Sequence, residues 1–158
     1  MLIRHQLLEI ATAPGIQIYD LTGQIQAEVT AAAIHTGQVI VFSRHTTTAI
    51  AINEAEPRLF EDVTNYLRML APVGGLTIDA IHHSYKHNDL HLRPNIPPDE
   101  PRNAHSHLMA MTLSTSEVIP IMDGNLALGT YQAVLLFELD GPRDRTVLLQ
   151  LSGLGRDG

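Results

Sequence analysis

The spacing of apolar and polar positions divides the chain into short strands and a few helices. Leu2 to Ile10 is apolar with interruptions at Arg4, Gln6 and Glu9, the pattern of a half-buried strand. Pro14-Gly15 marks a turn, and Ile16, Ile18 and Tyr19 suggest a short second strand. Ile25, Val29 and Ala33 recur at i, i+4 and i+8, which predicts a helix from Gly23 to about Ala33, capped by Asp20 or Thr22. Val39 to Ser43 reads as a buried strand and Thr46 to Ile52, rich in Thr and Ile, as the next. Glu56-Pro57 opens a second helix with proline in its first turn. Leu59, Phe60, Val63, Leu67 and Leu70 form its apolar face, and Pro72, Gly74 and Gly75 end it.

Residues 76–104 break the pattern. Polar residues, His and Pro dominate, and Pro94-Asn95-Ile96-Pro97-Pro98 excludes regular structure there. A loop of this length inside a domain is usually functional or disordered, and its histidines favour function. His105 to Ser114 reads as a short helix. Glu117–Met122, Ala133–Leu139 and Thr146–Ser152 read as strands, with hairpin signals at Asp123-Gly124-Asn125 and Asp140-Gly141-Pro142. Seven or so strands with two or three helices, out of strict βαβ order, predict an α+β domain with a largely antiparallel sheet. The last residues read as a frayed tail.

Composition narrows the function. At 158 residues, 44% hydrophobic and 17% charged, the chain suits one globular domain and not a disordered acidic polymer. A net charge of −7 argues against a broad nucleic-acid footprint, and the absence of Trp leaves little stacking surface. The absence of Cys removes disulfides, thiol nucleophiles and cysteine metal sites together. Arg4, His5 and Glu9 interrupt the N-terminus where a signal peptide needs an apolar run, and no run approaches the ~20 residues of a membrane span. The expectation is a cytoplasmic protein with no membrane partner.

Histidine is the outlier, with nine residues, six of them (82, 83, 87, 91, 105 and 107) close together in sequence. Three imidazoles from separate segments with an open fourth position is the pattern of catalytic zinc. His45, His82, His83, His87, His91, His105 and His107 are the available donors, and no HExxH motif selects among them. Imidazole is equally the usual proton carrier near neutral pH. Ser43-Arg44-His45-Thr46-Thr47-Thr48 offers a cation and hydroxyls to an anion, although Thr is also an ordinary strand residue. Glu54, at a strand end, suits a general base or an orienter of histidine, and equally a solvated or helix-capping acid. Gly129-Thr130-Tyr131-Gln132 offers donors beside a permissive glycine, or simply a turn into a strand. Asp140-Gly141-Pro142-Arg143 reads as a turn with a solvated arginine.

Together these segments resemble the YjbQ family, often called secondary thiamine-phosphate synthases. The resemblance is carried by His45-Thr46-Thr47-Thr48-Ala49 with Asn53-Glu54, by Tyr85-Lys86-His87-Asn88-Asp89, and by Asn103 to His107. It continues through Ser114-Thr115-Ser116, Val118-Ile119-Pro120, Gly124, Gly129-Thr130-Tyr131-Gln132 and Asp140-Gly141-Pro142-Arg143. Two features depart from the family pattern: Tyr131 stands where Trp is commoner, and the interval from His87 to His107 is longer than in some relatives.

The resemblance implies a sandwich-like single domain over residues 1–153, with 154–158 as a C-terminal tail, assembling as a homotrimer. It implies a site lined by His45, His87 and His107, with His105 as the substitute for His107; the expectation is that these three hold a divalent metal, zinc first. On these residues the expectation is an enzyme with Glu54 as catalytic base or orienter and Thr46, Thr130 and Gln132 contacting a small phosphorylated substrate. The implied reaction joins a pyrimidine pyrophosphate to a thiazole phosphate with loss of pyrophosphate. The rival expectation is a trimeric small-molecule or metal-binding module without turnover.

Overall fold

Two antiparallel sheets face each other, and the strand patterns explain why. The computed structural model describes residues 1–156. The larger sheet contains β1 (Leu2–Ala11), β3 (Thr36–Ser43), β7 (Ser116–Met122), β8 (Asn125–Leu126) and β10 (Asp144–Leu154), in the order β1-β10-β3-β7-β8. The smaller contains β2 (Gln17–Asp20), β4 (Thr48–Asn53) and β9 (Ala133–Glu138), in the order β2-β9-β4. Along β10 the residues Arg145, Val147, Leu149 and Leu151 are buried while the residues between them are half-buried, so one face looks inward with period two.

Strand β9 is buried at every position because both its faces are covered. Val134 and Leu136 meet Val39, Val41, Ile119 and Leu149 of the large sheet and Ile25 and Val29 of helix α1 (Thr22–Ala31). Leu135 and Phe137 meet Leu67 of α2 (Pro57–Leu70) and Met109 of α3 (Ala104–Thr112) on the opposite face. The result is a large sheet, a small sheet, and α2 with α3 stacked upon it. Each fully buried leucine here contributes about 1.5–3 kcal/mol. Gly37 and Gly153 lie opposite each other in the β3–β10 ladder, where a Cβ on Gly37 would stand 2.1 Å from the Ser152 carbonyl oxygen.

The α+β class, the antiparallel pairing and the seven expected strands are all present. Three shorter strands add to them: β8, which closes the Asp123-Gly124 hairpin, and the pair β5 (Leu76–Ile78) and β6 (Ile81–His83). The last two correct the expectation of an irregular 76–104 segment, which also carries 3-10 turns at Lys86–Asn88 and Leu90–Leu92. The Asp140-Gly141-Pro142 turn is not a hairpin either. It carries the chain from β9 in the small sheet to β10 in the large one, because the Glu138 carboxylate binds the N–H groups of Asp140 and Gly141 and turns the backbone away from its own sheet. Strand β10 runs one residue into the expected 154–158 tail, since Leu154 pairs with Thr36 of β3; residues 157 and 158 lie outside the described residues. Among the described residues no helix is long and apolar enough to cross a membrane.

Candidate functional site

Where the β9–β10 corner meets the β3–β4 loop and the start of α3, a polar cavity of about 340 Å³ opens. Its walls include Arg44, His45, Thr46, Asn103, His107 and Arg143. Its floor is an ion pair joining the two sheets. Arg145 of β10 donates from Nε and Nη2 to the two carboxylate oxygens of Glu138 at 2.6 Å each. Glu138 also accepts from Thr12 Oγ1 and from the N–H groups of Asp140 and Gly141, each at 2.8 Å. Burial alone pushes this carboxyl up, and the hydrogen bonds from Arg145, Asp140 and Thr12 reverse it, holding it below the ordinary value. Arg145 Nη2 donates further to Thr47 Oγ1 at 3.0 Å, so the loop carrying His45 is tied to the same pair.

His45 is oriented by β10. Its Nε2 accepts the Thr146 N–H at 2.9 Å. A backbone N–H can only donate, so Nε2 carries the lone pair and Nδ1 the proton. Burial, and then the Arg145 charge, push its pKa below the ordinary histidine value. Helix α3 brings the second imidazole. Ser106 Oγ donates to the Leu139 carbonyl at 2.6 Å, Asn103 Nδ2 to Asp140 at 2.8 Å, and the Ala104 N–H to Asn88 Oδ1 at 3.1 Å. These bonds pin the helix start to the β9 end and to the 3-10 turn bearing His87. The His87 and His107 rings consequently meet edge to face, centroids 4.8 Å apart. Burial, and then His87, push His107 below the ordinary value.

Among the described residues, four buried side-chain atoms have no hydrogen-bond partner: Tyr85 Oη, His87 Nε2, Asn103 Oδ1 and His105 Nδ1. All four belong to the 3-10 turn region or to the start of α3. Orphaned buried polar atoms are costly, and they mark places where a bound group would be satisfied. For a metal, the donor set fits in part. His87 and His107 supply two imidazoles side by side, whereas the Nε2 lone pair of His45 is already engaged by Thr146. Among the described residues no group of three or more His, Asp or Glu is placed to hold a metal ion. His105 does not line the cavity, and His82 and His83 are exposed on β6.

Charge is concentrated here despite the acidic chain. Arg143 donates to Asp140 at 2.9 Å and Arg93 to Glu100 at 2.9 Å. Arg44 is exposed and has no ion-pair partner among the described residues, so the cavity keeps a free cation.

The expected residues fall into two groups. His45, Thr46 and His107 line the cavity and His87 backs it. Glu54, Thr130 and Gln132 are exposed at the other end of the small sheet. The register pairs Thr48 with Glu138 and Asn53 with Ala133, so the length of β4 separates the groups, about 17 Å at roughly 3.3 Å per residue. At that end Gln132 Oε1 accepts the Gly129 N–H at 2.8 Å, closing the turn. Sequence reasoning passed over Glu138, Arg145 and Asn103. The signal for the first two was a lone carboxylate within the apolar run 133–139 and an arginine two residues before the run 147–149, flanking one turn; Asn103 entered only as the first residue of the Asn103–His107 segment of the resemblance.

A family model described as UPF0047 protein YjbQ-like matches residues 6–154. A UPF0047 protein of Methanothermobacter thermautotrophicus is 35% identical over 97% of this chain and 94% of the relative. One from Archaeoglobus fulgidus is 38% identical over 90% and 97%. The crystal structure of a hypothetical protein from Aeropyrum pernix K1 superposes with a TM-score of 0.81 at 36% identity, covering 96% of this chain and 99% of that one. A YbjQ-like protein of unknown function from Sulfolobus solfataricus P2 superposes with a TM-score of 0.82 at 30% identity, covering 96% and 98%.

Proposed function

The chain belongs to the YjbQ-like UPF0047 family, and on that premise we propose that it is a cytoplasmic, metal-dependent transferase acting on a small phosphorylated substrate, with a thiamine-phosphate-synthase-like reaction as its first candidate. The observation that supports this reading most is the meeting of the free Arg44 with His45, Thr46 and His107 around one cavity. Departure of pyrophosphate leaves the electron pair of the broken C–O bond on the leaving group. Cations already in place, Arg44 and Arg143, stabilise that developing charge without reorganisation. His107, held neutral near pH 7, is fit to take up a proton or to donate a lone pair.

A divalent metal, zinc first, would supply Lewis-acid polarisation of phosphoryl oxygens when bound. His87 and His107 would hold it; His45, the third imidazole of the expected set, would have to give up its Thr146 hydrogen bond to join them. Glu54, Thr130 and Gln132 enter this reading through assembly: in a homotrimer the far end of a neighbouring small sheet brings them to the cavity. The second reading, a binding module without turnover, is favoured by the same cavity should no product form.

Metal content per chain, measured on untagged protein beside His87→Ala, tests the metal. About one ion per chain lost in the variant is expected, and equal content in both rejects His87 as a ligand. Conversion of a pyrimidine pyrophosphate and a thiazole phosphate to thiamine phosphate tests the reaction; binding of either compound with no product favours the module.

A further inference from the structure

We propose that Arg145 is the buried anchor for a phosphoryl group in this cavity and that Glu138 is its positioning residue. This rests on the phosphorylated-substrate reading and assigns it a specific cation. Arg145 is only 4% exposed, yet it lines the cavity. Two of its three nitrogens are used: Nε and Nη2 by Glu138, and Nη2 again by Thr47. Nη1 has no hydrogen-bond partner among the described residues, and it is not among the buried unpaired atoms, so it is not fully enclosed; Arg145 lines this cavity and a second one beside Glu9, Ile10 and Ala11.

The free nitrogen distinguishes this pair from a purely structural clasp. Arg145 shares its strand face with Val147, Leu149 and Leu151, where a buried charge pair costs desolvation that apolar side chains would avoid. A guanidinium keeps its charge and its planar fork whatever the pH. With one side of that fork fixed on Glu138, the remaining N–H groups of Nη1 are preorganised, and little rotamer freedom is lost when an anion arrives. The cavity that Arg145 lines is also lined by Arg44, Thr46 and Arg143. Several donors about one cavity suit a tetrahedral phosphoryl group, which has more acceptor oxygens than a carboxylate.

Glu138 sets where Nη1 sits, and it touches no cavity ligand itself, since its oxygens are filled by Arg145, Thr12 and the Asp140 and Gly141 amides. The step is binding only, with no bond made or broken.

The test is calorimetric titration of the full chain with pyrophosphate and inorganic phosphate, and with acetate as the carboxylate comparison. Wild-type protein is expected to bind pyrophosphate. Arg145→Gln should weaken that binding at least tenfold, Arg145→Lys should restore part of it, and Glu138→Gln should weaken it, with Glu138→Asp restoring part. Because Glu138→Gln strands a buried charge and risks unfolding, the charge-free pair Glu138→Leu with Arg145→Leu is titrated too and should match Arg145→Gln. Equal pyrophosphate affinity in wild-type and Arg145→Gln protein overturns the anchor while the phosphorylated-substrate reading stands. Acetate binding as strong as pyrophosphate binding overturns the phosphoryl assignment. Failure of the folded wild type to bind either phosphate removes the underlying reading, and the anchor with it.

Discussion

His45 Nε2 receives the Thr146 N–H across 2.9 Å, so the imidazole is built into the β10 backbone in its neutral form. Protonation at Nε2 would set two donors against each other. His45, His105 and His107 all have pKa values pushed below the ordinary 6.5, in each case chiefly by burial. With a folded value below the unfolded one, the unfolded chain binds more protons in the window between them. Their contribution is therefore fully present above about pH 6.5 and is lost as pH falls from there through the folded values. The thermal midpoint is expected to fall between pH 7.5 and 5.5, and His45→Asn is expected to flatten that slope. A midpoint that rises on acidification would overturn the neutral assignment.

Glu138 gives the same sign of pH dependence at a lower pH, although here the charged form is the one the fold favours. Its carboxyl is fully buried and held below 4.5 by Arg145, Asp140 and Thr12 against the burial that raises it. Its stabilisation is present above the unfolded value and is lost as pH falls through the lower folded one. Glu138→Gln at neutral pH leaves Arg145 buried without a counter-charge and is predicted to cost about 3–5 kcal/mol, whereas removing both charges costs less. Urea unfolding of the two variants at pH 7 checks the order, and a double variant weaker than the single one contradicts it.

Why some of this was legible in the chain and some was not has a physical cause. The β9 run Ala133–Leu139 and the alternation along β10 are local patterns, and they located the core directly. The β5–β6 pair is only three residues long on each side, with Ile78 and Ile81 exposed, so no apolar period announced it. The corner at Asp140 has the composition of a hairpin; the Glu138 carboxylate that turns it and the different sheets that β9 and β10 join make it a crossover, and composition shows neither. His45 and His107 were visible as residue types, yet their meeting depends on Ser106, Asn103 and Thr146 bonds between segments distant in sequence. The Glu138–Arg145 pair hid for a similar reason. A charged residue in an apolar run looks like an error of pattern until its partner is known.

Helix α2 gives a prediction away from the cavity. Glu56 caps it unusually, accepting the Arg58 N–H at 2.9 Å and the Leu59 N–H at 2.7 Å with its two carboxylate oxygens. Glu56→Ala leaves both donors to water and is expected to lower stability by about 1 kcal/mol. The cavity does not include Glu56, so pyrophosphate titration should be unchanged in the same variant. A loss of binding alongside the loss of stability would show that α2 reaches the cavity.

The separation of Glu54 from His107 by the length of β4 yields the most discriminating prediction. If both act on one substrate, they come from different copies. In the proposed homotrimer, Glu54→Gln and His107→Ala should then each be inactive in the proposed thiamine phosphate formation, each lacking one half of every cavity. When the two are unfolded, mixed in equal amounts and refolded, a heterologous cyclic interface pairs an intact His107 with an intact Glu54 at about one quarter of the cavities. Activity near that fraction of wild type is expected from the mixture and from neither parent. If Glu54 served the cavity of its own chain, every mixed cavity would still lack one group, and mixing would restore nothing. Full activity in Glu54→Gln alone would instead remove Glu54 from the chemistry and leave the cavity residues of a single chain to account for it.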